Sequence, residues 1–216
     1  RQRIDCDFYA FEKCGYETSN YNNLAWVLPT AQQLEEIEST INDGYDKYIL
    51  LSGSQTSAGD RATLTSPLTV IDTDINLEFT LIFYYHPDSP RPTSADSMTT
   101  LEVARFKEDN EMETIMTYKA KDYPHNIWFT VSLCLPRGEY KLVFIGTLGL
   151  APLNSLAIDS ISLLSTTCQS PMTNKSGNLF LLTFSFSVRR ARQNNYFILK
   201  SKLLTGKKTH LSIVIS

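Results

Sequence analysis

The 216 residues carry 20 Lys or Arg against 23 Asp or Glu, a formal charge of -3, with 42% apolar and 20% charged side chains. That is ordinary for a globular protein and long enough for one sandwich-sized domain plus an extension. The charge is uneven: the segment after Cys168 holds eight Lys or Arg and no acid, leaving 12 basic against 23 acidic residues before it. Residues 1–168, at about -11, therefore read as one acidic domain and residues 169–216, at +8, as a basic extension, and the acidic domain argues against nucleic acid as a partner.

Four cysteines stand at 6, 14, 134 and 168, with no C-x-x-C and no zinc-finger spacing, which speaks against a thiolate metal site. An even count near strand ends favours disulfides over buried free thiols, and with them an oxidising compartment. The sequence starts without Met and without a charged-then-apolar leader, so any signal peptide is expected to have been removed or to lie upstream.

In chain order, Cys6 and Cys14 would close a short loop if paired, a bridge worth roughly 2 to 3 kcal/mol in the chain-entropy model. The polar and aromatic stretch 20–28 contains Trp26, read as a core anchor rather than a ligand platform, and Pro29 ends it. Residues 30–41 predict a helix: Thr30 caps, Gln33 completes a capping box, and Leu34, Ile37 and Ile41 share a face. Glu35, Glu36 and Glu38 give it an acidic side, most simply a solvated surface.

From Tyr48 onward the chain reads as strand. Y-I-L-L-S precedes a turn with Gly53 and Gly59, and R-A-T-L-T-S-P follows. The run N-L-E-F-T-L-I-F-Y-Y sets Leu77, Phe79, Leu81, Phe83 and Tyr85 on one face, and Pro87, Pro90 and Pro92 mark a loop after it. T-L-E-V-A-R-F and E-T-I-M-T-Y are two more strands around a polar turn at 108–110. The stretch 128–145 reads as an antiparallel hairpin through Pro136-Arg137-Gly138, with Phe129, Val131 and Leu133 alternating in one arm and Tyr140, Leu142 and Phe144 in the other. In the last strand the adjacent polar Asp159 and Ser160 between Ile158 and Ile161 suit a bulge. Some eight short strands and one short helix predict an all-β, antiparallel β-sandwich.

The inventory for catalysis is thin. His86, His125 and His210 lie far apart without H-E-x-x-H spacing, there is no G-x-S-x-G, and G-D-R at 59–61 is a turn rather than a phosphate cradle. In the extension, Asn174-Lys175-Ser176 is a glycosylation sequon for a secreted chain. Residues 179–188 are apolar but too few to cross a bilayer, and Arg189-Arg190-Ala191-Arg192 is either a solvated charge cluster or a processing site.

Taken in order, C-D-F at Cys6, C-G-Y at Cys14, Trp26, A-T-L-T-S-P from Ala62, L-I-F-Y-Y-H from Leu81, Trp128, V-F-I-G from Val143, A-I-D-S-I from Ala157 and the closing Cys168 resemble the MAM domain, an extracellular module named after meprin, a neuropilin-type antigen and receptor tyrosine phosphatase mu. The resemblance covers nearly all of residues 1–168. It implies a jelly-roll-like β-sandwich outside the cell, without catalysis or cofactor, that serves adhesion or assembly of the membrane or secreted protein carrying it.

Three departures stand out: the family's usual third cysteine position holds Thr80, the Glu after C-D-F is Tyr9, and the second acid of I-D-D-I is Ser160. The expected pairs are therefore Cys6 with Cys14 and Cys134 with Cys168, and Asp7 and Asp159 alone are too few for a tight metal site.

Partners are expected to be cell-surface proteins, a second copy among them, met through residues 87–97 or 20–41, since loops on a rigid scaffold carry recognition. The competing expectations are a carbohydrate-binding sandwich with Tyr84, Tyr85 and Tyr123 as stacking platforms, although a core role suits each, and an accessory domain of a membrane-bound protease or receptor.

Overall fold

The computed structural model describes residues 4–8, 12–19, 23–30, 33–34, 47–53, 56–85, 99–107, 111–149, 154–168, 185–187 and 198–200. Its strands are β1 (Glu17–Ser19), β2 (Leu24–Val27), β3 (Ile49–Gly53), β4 (Arg61–Thr65), β5 (Thr69–Ile71), β6 (Ile75–Tyr85), β7 (Thr100–Phe106), β8 (Met112–Lys119), β9 (Phe129–Leu135), β10 (Gly138–Thr147) and β11 (Asn154–Thr167). In the extension Ser185–Ser187 pairs with Ile198–Lys200. A six-stranded sheet runs β1-β4-β10-β7-β8, with β5 also on β10, and a five-stranded sheet runs β2-β3-β11-β6-β9. All named pairings are antiparallel. The predicted β-sandwich is present, with eleven strands among the described residues before Cys168 where about eight were expected.

The alternation in β6 does what its pattern predicts. Leu77, Phe79, Leu81, Phe83 and Tyr85 all enter the core between the sheets, where Phe79 meets Phe144 edge-on at 5.4 Å and Tyr118 at 6.0 Å. Burying one such side chain stabilises the fold by about 1.5–3 kcal/mol. Trp26 on β2 is fully buried, and its indole N–H donates to the carbonyl of Ala62 on β4, 3.1 Å away, so one side chain joins both sheets. Gly146 on β10 lies beneath it: a Cβ there would stand 2.6 Å from Leu51 Cδ2 and 3.0 Å from Trp26 Cζ2. The glycine of V-F-I-G is thus a packing requirement.

The hairpin expected through Pro136-Arg137-Gly138 is not one. β9 belongs to the five-stranded sheet and β10 to the six-stranded sheet, so this turn carries the chain across the sandwich. Two inward-alternating runs joined by a tight turn look alike in either arrangement. The crossing is fixed by Tyr140, whose hydroxyl donates to Pro136 O at 2.7 Å, a corner of the kind that holds sheet-to-sheet turns in other sandwiches. The Arg137 N–H donates to Asp74 Oδ1 at 2.8 Å, and Gly138, at φ 148°, supplies a conformation other residues rarely adopt.

The bulge in β11 is where the polar pair predicted it. The register with β6 shifts between Asp159 and Ser162, and Ser160 sits at φ 53°. The extra residue lets Ile158 and Ile161, three apart, both point inward. Cys6 then pairs with Ile161, exchanging both backbone hydrogen bonds at 2.8 Å, so the N-terminal segment continues the ladder beside β11 past the end of β3.

The Thr30 capping box is formed: Thr30 N–H donates to Gln33 Oε1 at 2.9 Å, and Gln33 N–H to Thr30 Oγ1 at 3.3 Å. The rest of the predicted helix lies outside the described residues, as do the proline loop after β6 and Asn174.

Candidate interaction surface

The sugar-binding expectation rests on three tyrosines, and the fold uses all three internally. Tyr84 and Tyr85 are buried at the end of β6. The Asn126 side chain accepts from Tyr85 N–H at 2.8 Å and donates to Tyr85 O at 3.0 Å, copying a strand partner where the ladder stops. Its backbone, at φ 58°, suits an asparagine. Tyr85 also meets His125 edge-on at 4.4 Å. Tyr123 lies flat on Phe129, 4.7 Å between centroids, with Phe83 stacked at 6.1 Å and Tyr118 tilted against it at 5.9 Å. Tyr84 and Tyr85 are thus closed to a sugar, while Tyr123 is only partly buried.

These phenols carry a pH consequence. Burial raises Tyr140 from its ordinary value near 10 to about 12, with Asp74 adding to the rise and Arg105 opposing it. Burial, and then the Asp5 charge, pushes Tyr16 higher still, and burial does the same to Tyr118. A folded pKa above the unfolded one gives stability that is complete below the unfolded value and is lost as pH rises through the folded value. Tyrosinate absorbance is therefore expected to appear together with loss of near-UV dichroism between pH about 10 and about 12. Ionisation of every tyrosine near pH 10 with the fold intact would contradict this.

Among the described residues, one exposed apolar side chain, Ile127, stands just before β9 at 42%, and the others gather at the six-stranded sheet. Pairing of Val143 with Thr65 and Ala104, and of Ile145 with Thr63 and Glu102, sets the outward rows. Val143, Ile145 and Ala104 are buried there as a small cluster with Phe106. Toward the Gly138 end the row opens: Leu68 is 47% exposed, Val70 41% and Met112 52%.

Leu68 owes its position to a bulge between β4 and β5. Here the Ser66 hydroxyl accepts from Leu142 N–H at 2.9 Å, while Ser66 N–H donates to Leu142 O at 2.8 Å. Glu139 and Lys141 stand between these apolar side chains, opposite Val70 and Phe106.

Charge pairs border the surface. Arg61 meets Glu102 at 3.4 Å and Lys141 meets Glu17 at 3.9 Å. On the opposite, core-side face, where Arg105 pairs with the inward Leu142, Glu113 takes Arg105 at 2.6 Å and Lys107 at 2.9 Å, and hydrogen bonds from Lys107 and then Arg105 hold its carboxyl below the usual range. Arg105 also lies over the Tyr140 ring, 5.8 Å from the centroid. Exposed apolar side chains among mixed charges match the composition of a non-obligate protein interface.

The four cysteines form two bridges, Cys6–Cys14 and Cys134–Cys168, each with Cα atoms 5.7 Å apart. Asp159 is buried, its Oδ2 accepting from Ser160 Oγ at 3.1 Å. Among the described residues no three His, Cys, Asp or Glu gather as a metal site. Of the two loop regions expected to meet partners, 87–97 lies outside the described residues, and 20–41 is described only at 23–30 and 33–34. Leu68, Val70 and Met112 were not anticipated, because only the sheet pairing shows which strand face stays open.

No curated protein matches the chain. Among solved structures, a cleaved adhesin domain of Lys-gingipain from Porphyromonas gingivalis is similar over 77% of this chain and 99% of its own, at 11% identity and a TM-score of 0.52. A second cleaved adhesin domain of Lys-gingipain matches over 74% and 98%, at 10% identity and 0.51. TmCBM61, solved with beta-1,4-galactotriose, covers 73% and 93%, at 8% identity and 0.47. At these identities the likeness concerns the fold alone. The family model described as "MAM domain, meprin/A5/mu" matches residues 6–169, from the first bridged cysteine to just past the last, and on that match the chain belongs to the MAM domain family.

Proposed function

We propose that this chain is an extracellular, non-catalytic interaction module that acts in adhesion, or in assembling the larger membrane or secreted protein that carries it. The observation that carries the reading is the family match across residues 6–169. Two disulfides in a sandwich of this size support an oxidising, extracellular setting. Residues 1–168 are the module in this reading, and residues 169–216 are a basic extension outside it.

The partner is a cell-surface protein, with a second copy of this chain among the candidates, and the contact is the exposed row Leu68, Val70 and Met112. The triple variant Leu68→Asp, Val70→Asp, Met112→Asp is expected to stay folded with a modestly lower melting temperature, because the three side chains are about half exposed and Val70→Asp sets a second carboxylate opposite Glu139. It should bind at least tenfold more weakly, about 1.4 kcal/mol. The measurement is binding of the secreted, oxidised chain to a panel of cell-surface ectodomains, with sedimentation over a concentration range for self-association. Undiminished binding by a folded variant would remove this surface from the proposal. The carbohydrate reading keeps Tyr123 as a platform but not the buried Tyr84 and Tyr85, and reproducible selectivity on a glycan array would favour it.

A further inference from the structure

Each sheet of the sandwich ends on one side in a short strand, β1 or β2, and on the other in a longer one, β8 in the six-stranded sheet and β9 in the five-stranded sheet. An open edge offers a row of unpaired N–H and C=O groups to any strand that meets it, and folded proteins blunt it with charges, prolines or bulges. β8 is blunted in this way: its register with β7 shifts between Val103 and Ala104, and it carries Glu113 and Lys119. β9 is not. Its sequence F-T-V-S-L-C-L has no charge and no proline, and all seven residues pair with β6 without a shift, from Phe129 opposite Leu81 to Leu135 opposite Ile75. An uncharged run of good strand formers is the kind of segment that pairs with its own copy.

The C-terminal extension reaches this edge. Ser185–Ser187 (β12), which pairs with Ile198–Lys200 (β13), lies along β9, with Cα atoms of β12 and β9 within 8 Å of each other. Strands stacked face to face stand about 10 Å apart and neighbours within a sheet about 5 Å, so this approach fits the edge of β9 rather than its face. The exposure of Ser132 agrees. It is the middle residue of β9 and points outward between the inward Val131 and Leu133, where a layer over that face would cover it. On the other flank of β9 stands β6, which leaves β12 the open side. The Cys134–Cys168 bridge brings the extension there, because Cys168 is the last residue before it and Cys134 is part of β9. Tethered in this way, β12 meets β9 as an intramolecular neighbour at high effective concentration.

We propose that β12 guards the edge of β9, holding the place where a strand from a second copy of this chain would pair. The extension thereby has a task of its own, one that does not rest on the row Leu68, Val70 and Met112, which lies at the other sheet. The test uses the secreted, oxidised full chain. Backbone nuclear Overhauser contacts are expected between Ser185–Ser187 and β9, unchanged on dilution; their absence, or their loss on dilution, would overturn the proposal. Phe186→Pro with Ser187→Pro removes one N–H from each flank of β12, since successive strand residues turn theirs to opposite sides. With β12 displaced, sedimentation should show self-association at least tenfold tighter than in the parent chain. Adding Ser132→Lys, which sets a charge at the exposed middle of the β9 edge strand, should abolish that gain, whereas an interface at Leu68, Val70 and Met112 would be indifferent to it. No gain in association, or a gain that survives Ser132→Lys, would equally overturn the assignment.

Discussion

Replacing Cys134 and Cys168 together by serine is expected to lower the unfolding free energy by about 4 kcal/mol, and replacing Cys6 and Cys14 by only about 2–3. The difference follows from loop length, since the bridges close separations of 34 and 8 residues. Their places in the fold point the same way. β9 and β11 are not neighbours; β6 lies between them, so the Cys134–Cys168 bridge ties together the strands on either side of the strand that carries Leu77, Phe79, Leu81, Phe83 and Tyr85 into the core. The Cys168 N–H adds a hydrogen bond to Asp74 O at 3.2 Å, next to the start of β6. Against a typical total of 5–15 kcal/mol, losing this bridge brings a domain near the threshold of folding. Denaturant titration of both double variants is the check, and equal costs for the two bridges would refute the loop-length account.

Trp26→Ala is expected to cost about 3–5 kcal/mol, the range for emptying a large aromatic site. A second loss adds to the cavity: the carbonyl of Ala62 is left inside the core without the indole N–H it accepts. Trp26→Phe separates the two contributions, because it keeps most of the packing and removes only the donor. Equilibrium denaturation of both variants should therefore give a graded series. If the phenylalanine variant were as unstable as the alanine one, the hydrogen bond between the sheets would outweigh the packing, contrary to this expectation.

Much of the architecture is legible in the sequence, and the failures have a common cause. β6 could be read because Leu77, Phe79, Leu81, Phe83 and Tyr85 repeat every second residue, and the bulge because two polar residues interrupt an apolar strand. The capping box at Thr30 and Gln33 is likewise local. The route through Pro136 is not local: whether β10 joins β9 or crosses to β4 and β7 depends on partners far away in the chain.

β1, β2 and β5 are three or four residues long, too short to show a period, and exist because β4, β3 and β10 offer them an edge. The outward Ile82 and Tyr84 did carry a signal, the unbroken apolar run L-I-F-Y-Y, which marks a strand buried on both faces. The exposed surface row carried none. An outward Leu68, Val70 or Met112 has the same letters as an inward one.

The pairing of Cys6 with Ile161 bears on how the domain carries mechanical load. Asp5 Oδ1 accepts from Leu163 N–H at 2.8 Å, so the chain before Cys6 lies toward the same end of β11 as Cys168. Tension applied at both ends would therefore act at one pole and peel the antiparallel contact open pair by pair, the weakest way to load a sheet. Peeling from the N-terminal side halts at Cys6, which hands the force to Cys14, and from the C-terminal side at Cys168, which hands it to β9 through Cys134. The two covalent stops stand where a pull would otherwise start to open the sandwich.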